Sequence, residues 1–380
     1  MGASESRIWN NVALVASVVS LSAFSAASYL FAKPAGAAPK SQTTAKSLAA
    51  PMATPDKLSV SAHTQAVTNL LRRSPCTKRE RTITFPASRT YGSLIYYPPN
   101  YQERETHKEC CIAQAQGTVK IKAGWVVEFW PNGEFFHHPQ VLDNLPPDSI
   151  DGVRLKFLPM DDSEEGLGDA SLAHINNLTK LKYLDVDRSE ISDKGLSLLT
   201  KLNDLEYLSG LGSGIEGTCL KTMGHMKKMR IFKLPNCNLR ISEIKYIPAN
   251  FPNLRFLCLN RTRLKDESME PISRCKNLIR IDISDNSFLT DACCKYIARL
   301  PNLYMIEMSS TSITAKGVRE LAGLPLATIV MGGAIKKEEL ESLRKLWPNS
   351  MVAVHNPGDE NKYTNDVKKI LAPISKQRGL

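Results

Sequence analysis

Cysteine and histidine are the residues of this chain best suited to metal binding or nucleophilic chemistry. The 380-residue sequence contains nine Cys and seven His. His107, Cys110 and Cys111 come closest to a group of metal ligands, but adjacent cysteines rarely serve one tetrahedral site, and no second pair follows at zinc-finger spacing. For an exported chain, a disulfide that involves Cys76, Cys110 or Cys111 is the alternative. We therefore predict no metal site.

The sequence also lacks the common catalytic motifs. Neither G-x-S-x-G, a Walker A loop, H-E-x-x-H nor a pair of catalytic carboxylates appears. The formal net charge of +11 would suit an acidic partner, a membrane surface or nucleic acid. No basic run with interleaved aromatic residues accompanies this charge, which favours diffuse basicity on a solvated surface over nucleic-acid binding. We predict a protein that is not an enzyme, with no cofactor, no small-molecule substrate and no nucleic-acid partner.

Six segments share one apolar pattern with a period of 24 or 25 residues, and they begin at Leu178, Leu202, Met226, Phe251, Cys275 and Leu300. Each begins with a pattern close to L-x-x-L-x-L. That head and that period are typical of a leucine-rich repeat.

The residues of one unit explain the pattern. In the segment 181–187, Leu184 and Val186 fall on one face of a short strand, and Tyr183, Asp185 and Asp187 fall on the other. The following residues change to helical spacing, with Ser192 or Asp193 as the N-cap. Units of this kind stack with parallel strands on a concave side and helices on a convex side. We predict an α/β leucine-rich repeat solenoid, with Leu257, Leu259, Ile281 and Ile283 among its buried residues.

The chain divides into five predicted segments. They are a signal peptide or signal anchor (1–32), a disordered linker (33–81), a small β-rich module (82–147), a leucine-rich repeat domain with a C-terminal cap (148–356) and a polar tail (357–380).

The first segment suggests where the protein resides. Asn11 to Ala32 is uncharged and long enough to span a bilayer, while Ala35 to Ala38 offers a small-residue cleavage pattern. An organelle transit peptide is a third, less favoured interpretation. We expect a membrane-anchored or secreted protein whose repeats lie outside the cytoplasm.

Turn signals punctuate the β-rich module, and Asn132-Gly133 predicts a hairpin that would make it antiparallel. Behind it, Leu167 to Leu172 reads as the helix of an irregular first repeat. At the other end, Glu338 to Trp347 reads as a helix and Met351 to Val354 as a final strand.

The repeats resemble the short bacterial, ribonuclease-inhibitor-like leucine-rich repeats, in which I-T-D-x-G-L follows the strand. Ile191 to Leu196 and Ile313 to Val318 carry this motif. The segments 85–94 and 117–124 resemble a front module that precedes such repeats in bacterial proteins, planctomycete proteins in particular. The resemblance covers about Thr82 to His355. It implies a non-enzymatic interaction protein, often exported or membrane-tethered, and supplies no catalytic residues.

The concave side is the predicted partner site. Its outward strand residues are Tyr183, Asp185, Asp187, Tyr207, Ile231, Lys233, Phe256, Arg280 and Met305. Adjacent parallel strands lie about 4.8 Å apart, so Tyr183, Tyr207, Ile231 and Phe256 would form one apolar ridge. Exposed ridges of this kind are typical of binding hot spots. The alternative is that the front module or the linker covers the ridge.

Two functions are compatible with such a surface. The first is a tethered or exported module that binds a protein partner through the concave face. The second is a structural or assembly subunit of a larger membrane-associated complex.

Overall fold

The computed structural model describes residues 70, 72–99, 110–332 and 335–355. The predicted signal or anchor, most of the predicted linker and the predicted C-terminal tail lie outside the described residues. The described residues from Leu70 to Val354 form one compact unit. Among the helices of the described residues, none is both long and apolar enough to cross a bilayer.

The fold is of the α/β class and is built on a long, mostly parallel sheet. The strands are β1 (Arg81–Thr84), β2 (Gly92–Tyr97), β3 (Cys111–Gln114), β4 (Thr118–Ile121), β5 (Val126–Pro131), β6 (Gly152–Arg154), β7 (Tyr183–Asp185), β8 (Tyr207–Ser209), β9 (Ile231–Lys233), β10 (Phe256–Cys258), β11 (Arg280–Asp282), β12 (Met305–Met308), β13 (Thr328–Met331) and β14 (Met351–Val354). The twelve-stranded sheet has the order β14-β13-β12-β11-β10-β9-β8-β7-β6-β5-β2-β3, and β1 pairs with β4 in a second sheet.

The helices are short and alternate with the strands. The α-helices are α1 (Gly133–His137), α2 (Leu167–Ile175), α3 (Asp193–Leu196), α4 (Ile247–Asn250), α5 (Met269–Ile272), α6 (Cys294–Ile297), α7 (Ala315–Arg319) and α8 (Lys337–Leu346). The 3₁₀ helices are Pro139–Leu142, Asp162–Glu164, Thr218–Lys221, Met223–His225, Ile241–Tyr246, Asp266–Ser268 and Asp291–Cys293. Helix α2, helix α8 and strand β14 confirm the elements predicted around Leu167, Glu338 and Met351.

Alternation along the strands builds the core. From β5 to β14 every neighbouring pair of strands is parallel, and equivalent residues lie opposite each other. The second residue of each strand from β7 to β12 is fully buried in one continuous apolar core. Leu257, Leu259, Ile281 and Ile283 are fully buried, as predicted.

Hydrogen bonds between neighbouring strands continue beyond the strand ends. Val186 N donates to Ser209 O at 2.8 Å, and Arg188 N donates to Leu211 O at 2.7 Å. The chain then turns at a residue with positive φ. These turn residues are Arg188, Gly212, Asn236, Arg261, Asp285 and Ser310. The same turn therefore follows each strand from β7 to β12.

A carboxylate joins consecutive helix starts. Ser192 caps α3 by accepting from Lys194 N, so of the two predicted caps Ser192 is the one used. Asp169 of α2 accepts from Ser192 N at 2.8 Å and from Ser192 Oγ. Gly195 lies against Asp169. A side chain at this position would clash, because its Cβ would approach Asp169 Cα to 2.9 Å. Asp291, Thr314 and Gly317 repeat the arrangement.

The front module is continuous with the sheet. Strand β2 is the antiparallel neighbour of both β3 and β5, whereas β5 runs parallel to β6. The hairpin predicted at Asn132-Gly133 is wrong. Asn132 is instead the N-cap of α1, where its Oδ1 accepts from Phe135 N at 3.3 Å while its Nδ2 donates to Thr90 O at 3.0 Å. A short polar side chain suits a helix cap as well as a tight turn, which explains the error.

Candidate functional site

The sheet has two faces, and the one away from the helices carries the predicted partner residues. The first residues of consecutive strands lie opposite one another in register, which places Tyr183, Tyr207, Ile231 and Phe256 in one row. Their side chains are separate from the main core, and Ile231 and Phe256 belong to a second apolar cluster. We call this side of the sheet the front face.

A segment from before β1 lies across the front face. It comprises residues 70 and 72–80, which we call the strap. Leu70 is only 3% exposed and packs against Ile231, Phe256 and Cys258, with Tyr207 at the edge. The side chains of the predicted ridge therefore lie in one row, as expected. Leu70 of the same chain covers part of that row. This is the alternative that the sequence left open, with the linker supplying the cover.

Arg73 is the polar counterpart of Leu70. Its guanidinium carbon lies 5.1 Å from the ring centroid of Tyr183 and 5.7 Å from that of Tyr207, and its Nη1 pairs with Glu128. Glu128 is 5% exposed and also accepts from Tyr97 Oη and from Trp130 Nε1. Burial opposes ionisation of Glu128, but the charge of Arg73 and these hydrogen bonds outweigh burial and lower the pKa of the carboxyl.

The main chain of the strap is held as well. Ser74 N donates to Tyr183 Oη at 2.6 Å, and Tyr183 Oη lies 3.2 Å from Ser74 O, so one phenol contacts both backbone groups of one residue. Lys182 Nζ donates to Ser74 Oγ at 3.0 Å and to Pro75 O at 3.1 Å. These contacts fix the direction of the strap across β7.

The end of the strap is anchored on a buried carboxylate. Asp151 is fully buried and accepts from Cys76 N and, at 2.9 Å, from Arg81 Nη2. Its Oδ2 also accepts from Val127 N at 2.6 Å. Arg81 Nη1 donates to Ser149 O at 3.2 Å. Hydrogen bonds and an ion pair to Asp151 thus join the end of the strap to strand β5 and to the residues that precede β6.

The structure places the nine predicted partner residues in two groups. Tyr183, Ile231, Phe256, Arg280 and Met305 are buried, and Asp185, Asp187, Tyr207 and Lys233 are half-buried. The row of aromatic and aliphatic side chains is brought together. Arg280 lies over the ring of Phe256 and Lys233 over that of Tyr207, while Asp185 and Asp187 contact other polar side chains. Their role in binding a partner stays a prediction.

The half-buried group forms a polar border beside the strap. Asp185 pairs with Arg154 at 3.1 Å, and Arg154 lies 4.5 Å from the ring of Trp130. Burial, together with the Asp187 carboxylate, raises the pKa of Asp185. Asp187 accepts from Ser209 Oγ at 2.6 Å. Charged groups of both signs therefore line this border.

A second polar cluster lies farther along the front face. Arg280 Nε donates to Glu307 Oε1 at 3.0 Å, and its guanidinium carbon lies 4.4 Å from the ring of Phe256. Both members of this ion pair are buried. Burial, together with the charge of Glu307, raises the pKa of the adjacent Asp282 to about 7. Cys258 Sγ lies 3.6 Å from Asp282 Oδ2.

The front face shows no arrangement typical of nucleophilic or metal chemistry among the residues that the structure describes. Burial raises the pKa of the Cys258 thiol well above its usual value, so the thiol is neutral and a poor nucleophile at neutral pH. In the part of the chain that the structure describes, no group of three or more His, Cys, Asp or Glu side chains is arranged to hold a metal ion. Rings, apolar side chains and a paired carboxylate are the groups that contact the strap.

Sequence reasoning missed three residues that organise this site, namely Leu70, Arg73 and Glu128. Leu70 and Arg73 lie in a segment otherwise rich in small and polar residues, and Glu128 lies in a β-type run of the front module. The one available signal was the pair of leucines beside two arginines at 70–73. A comparison of the sequence with protein-family models finds no match.

Proposed function

We propose that this protein is a non-enzymatic interaction protein built as a leucine-rich repeat solenoid with a small β module at its front, similar to bacterial proteins of that kind. Two observations support this proposal. The sequence pattern recurs every 24 or 25 residues, and strands β7 to β12 begin at the same spacing and are parallel neighbours. Parallel strands alternating with short helices at one fixed period are what stacked repeats produce.

The function is binding of a protein partner through the front face, which a solenoid makes concave. The single observation that carries this proposal is the strap. The front face holds a segment of the chain through an apolar contact at Leu70, an ion pair at Arg73 and backbone hydrogen bonds at Ser74. A surface with apolar, charged and main-chain contacts in a row is suited to recognise polypeptide.

Membrane tethering or export is part of the same proposal. The uncharged segment from Asn11 to Ala32 is long enough to span a bilayer. We expect the full-length protein in the membrane fraction after carbonate extraction, with its repeats outside the cytoplasm. A soluble mature chain that begins near Ala38 would replace the anchor by a cleaved signal, and soluble full-length protein in the cytoplasm would contradict both.

Site-specific photo-crosslinking in native membranes tests the binding face. A photoreactive residue replaces Asp185 or Lys233, which are half-buried on the front face, or Lys194, which is exposed at the start of α3. We expect one partner to crosslink from positions 185 and 233 and to be absent at position 194. Crosslinks from position 194 alone would contradict binding by the front face. A stoichiometric complex from solubilised membranes would instead indicate the structural-subunit role.

A further inference from the structure

We propose that the front face selects a peptide segment in which an apolar residue precedes an arginine by three positions. We further propose that the strap occupies this site until such a segment of a partner displaces it. This inference rests on the proposed function, because it names the class of ligand for the same face. Leu70 and Arg73 of the strap have this spacing and are held in separate subsites.

The apolar subsite excludes polar side chains. Ile231 and Phe256 lie under Leu70, and Cys258 completes the cluster. Burial keeps Cys258 a neutral thiol by raising its pKa, and a neutral thiol behaves as a small apolar group. A charged or strongly polar side chain at this position would lose its hydration without gaining a partner in this cluster.

The cationic subsite favours arginine over lysine. Glu128 is buried and holds its charge, and the rings of Tyr183 and Tyr207 lie within 5.7 Å of the Arg73 guanidinium carbon. A planar guanidinium both pairs with a carboxylate and stacks on aromatic faces, which a compact ammonium group does less well. The subsite would therefore reject an uncharged or acidic side chain.

The contact next to the cationic subsite does not depend on the side chain of the bound residue. Tyr183 Oη accepts from Ser74 N and lies within hydrogen-bond distance of Ser74 O. Both groups belong to the main chain, and any residue except proline after the arginine carries them. The ligand is thus specified by two side chains and by one main-chain contact.

The part of the strap before Pro75 and the part after it are attached differently. The part before Pro75 can therefore detach while the other part stays in place. Arg81 and Asp151 are buried together, and Cys76 N is bonded to the same carboxylate. In contrast, the side chain of Arg73 is 25% exposed. Leu70 and residues 72–74 precede Pro75 in the chain, so they can detach while Cys76 and the adjoining Arg81 stay bonded to Asp151. A tethered segment competes at an effective concentration on the order of 1 mM.

The test uses the full-length protein and a fluorescent synthetic peptide of residues 68–75, Thr-Asn-Leu-Leu-Arg-Arg-Ser-Pro. Arg73→Glu in the protein places a like charge against Glu128 and releases the strap. Arg72→Glu is the matched control, because it makes the same charge change at an exposed residue. We expect the Arg73→Glu protein to bind the peptide at least about tenfold more tightly than the wild type or the control, since the tethered competitor is removed.

A double-variant protein and three variant peptides make the result specific. A protein with both Arg73→Glu and Glu128→Arg restores the ion pair with reversed charges, and we expect it to reject the wild-type peptide. Peptides with Leu70→Asp or Arg73→Glu should not bind the Arg73→Glu protein, and a peptide with Arg73→Lys should bind several-fold more weakly. If the Arg73→Glu protein fails to fold, Leu70→Asp in the protein releases the strap through the apolar subsite and is measured with the same peptide.

Equal peptide affinity of the Arg73→Glu and Arg72→Glu proteins would overturn the proposal, and so would undiminished binding of the peptide that lacks the arginine. If positions 185 and 233 still crosslink to a partner in that case, the front face binds partners of another chemistry and the proposed function stands. If those crosslinks are also missing, the proposed function fails independently.

Discussion

Arg73 and Glu128, which are 55 residues apart in the sequence, form an ion pair on the front face of the sheet. The pair joins the strap to β5, the strand at which the antiparallel front module meets the parallel sheet. Glu128 has little access to solvent, and the rings of Tyr183 and Tyr207 flank its partner. The position of the strap therefore depends on one electrostatic contact as well as on the apolar contact of Leu70.

Glu128→Gln is expected to loosen the strap. The substitution removes the charge that Arg73 meets, and hydrogen bonds to charged groups contribute about 1.5–3 kcal/mol. Because Arg73 is partly solvated, we expect the lower end of that range, which corresponds to about tenfold faster tryptic cleavage after Arg73. Mass spectrometry of the product that ends at Arg73 gives the rate.

The matched control for this experiment is Glu134→Gln. Glu134 also pairs with an arginine, Arg89, but that pair lies in a more exposed position away from the strap. Exposed ion pairs contribute little to stability, so cleavage after Arg73 should be unchanged in the control. Equal cleavage rates in the Glu128→Gln and Glu134→Gln proteins would show that the ion pair does not hold the strap.

Gly195→Ala and Gly317→Ala are expected to destabilise the fold by about 1–3 kcal/mol each, as overpacking of a close contact does. A Cβ at Gly195 would overlap the carboxylate of Asp169, and one at Gly317 would overlap that of Asp291. Both carboxylates receive backbone hydrogen bonds from the next helix start and cannot move freely. The urea midpoint measures the change. Gly133→Ala serves as control, since it also lies in a short helix and has open space around it.

Asp282 is expected to make stability depend on pH between the ordinary pKa of aspartate and neutrality. Its pKa is raised to about 7 in the folded chain, so the folded state holds this proton more tightly than the unfolded state. The resulting stabilisation is complete below about pH 4 and is lost as the pH rises through 7. In Asp282→Asn this dependence is absent, so the variant should gain stability relative to the wild type between pH 5 and pH 8.

Urea midpoints at the two pH values measure this gain. Asp285→Asn is the control, because Asp285 is exposed and its positive φ suits asparagine. A gain in Asp285→Asn as large as in Asp282→Asn would assign the pH dependence to surface charge.

Strands β7 to β12 were predictable because apolar residues recur there every 24 or 25 residues. Leu184, Leu208 and Phe232 occur at equal spacing and pair with one another in the sheet, as the sequence pattern predicts. The core residues Leu257 and Ile281 lie opposite each other for the same reason.

The strap was not predictable from the same principles. Its contacts pair residues such as Lys182 and Ser74, which are 108 positions apart and belong to no repeated pattern. Composition favours a linker there because few large apolar residues are present. Burial of Leu70 and the ion pair of Arg73 hold this segment on the sheet, although its overall composition is that of a linker. The hairpin at Asn132 was wrong for a similar reason, since a local signal was satisfied by a helix cap.

Amide hydrogen exchange of Ser74 in the full-length protein tests most directly whether the front face holds the strap. The account predicts that this amide, which donates to Tyr183 Oη, exchanges at least about tenfold more slowly than in an unstructured peptide. In Tyr183→Phe the protection of Ser74 should fall, while that of Cys76, bonded to Asp151, should remain. Exchange of Ser74 in the wild type at the rate of an unstructured peptide would contradict the account.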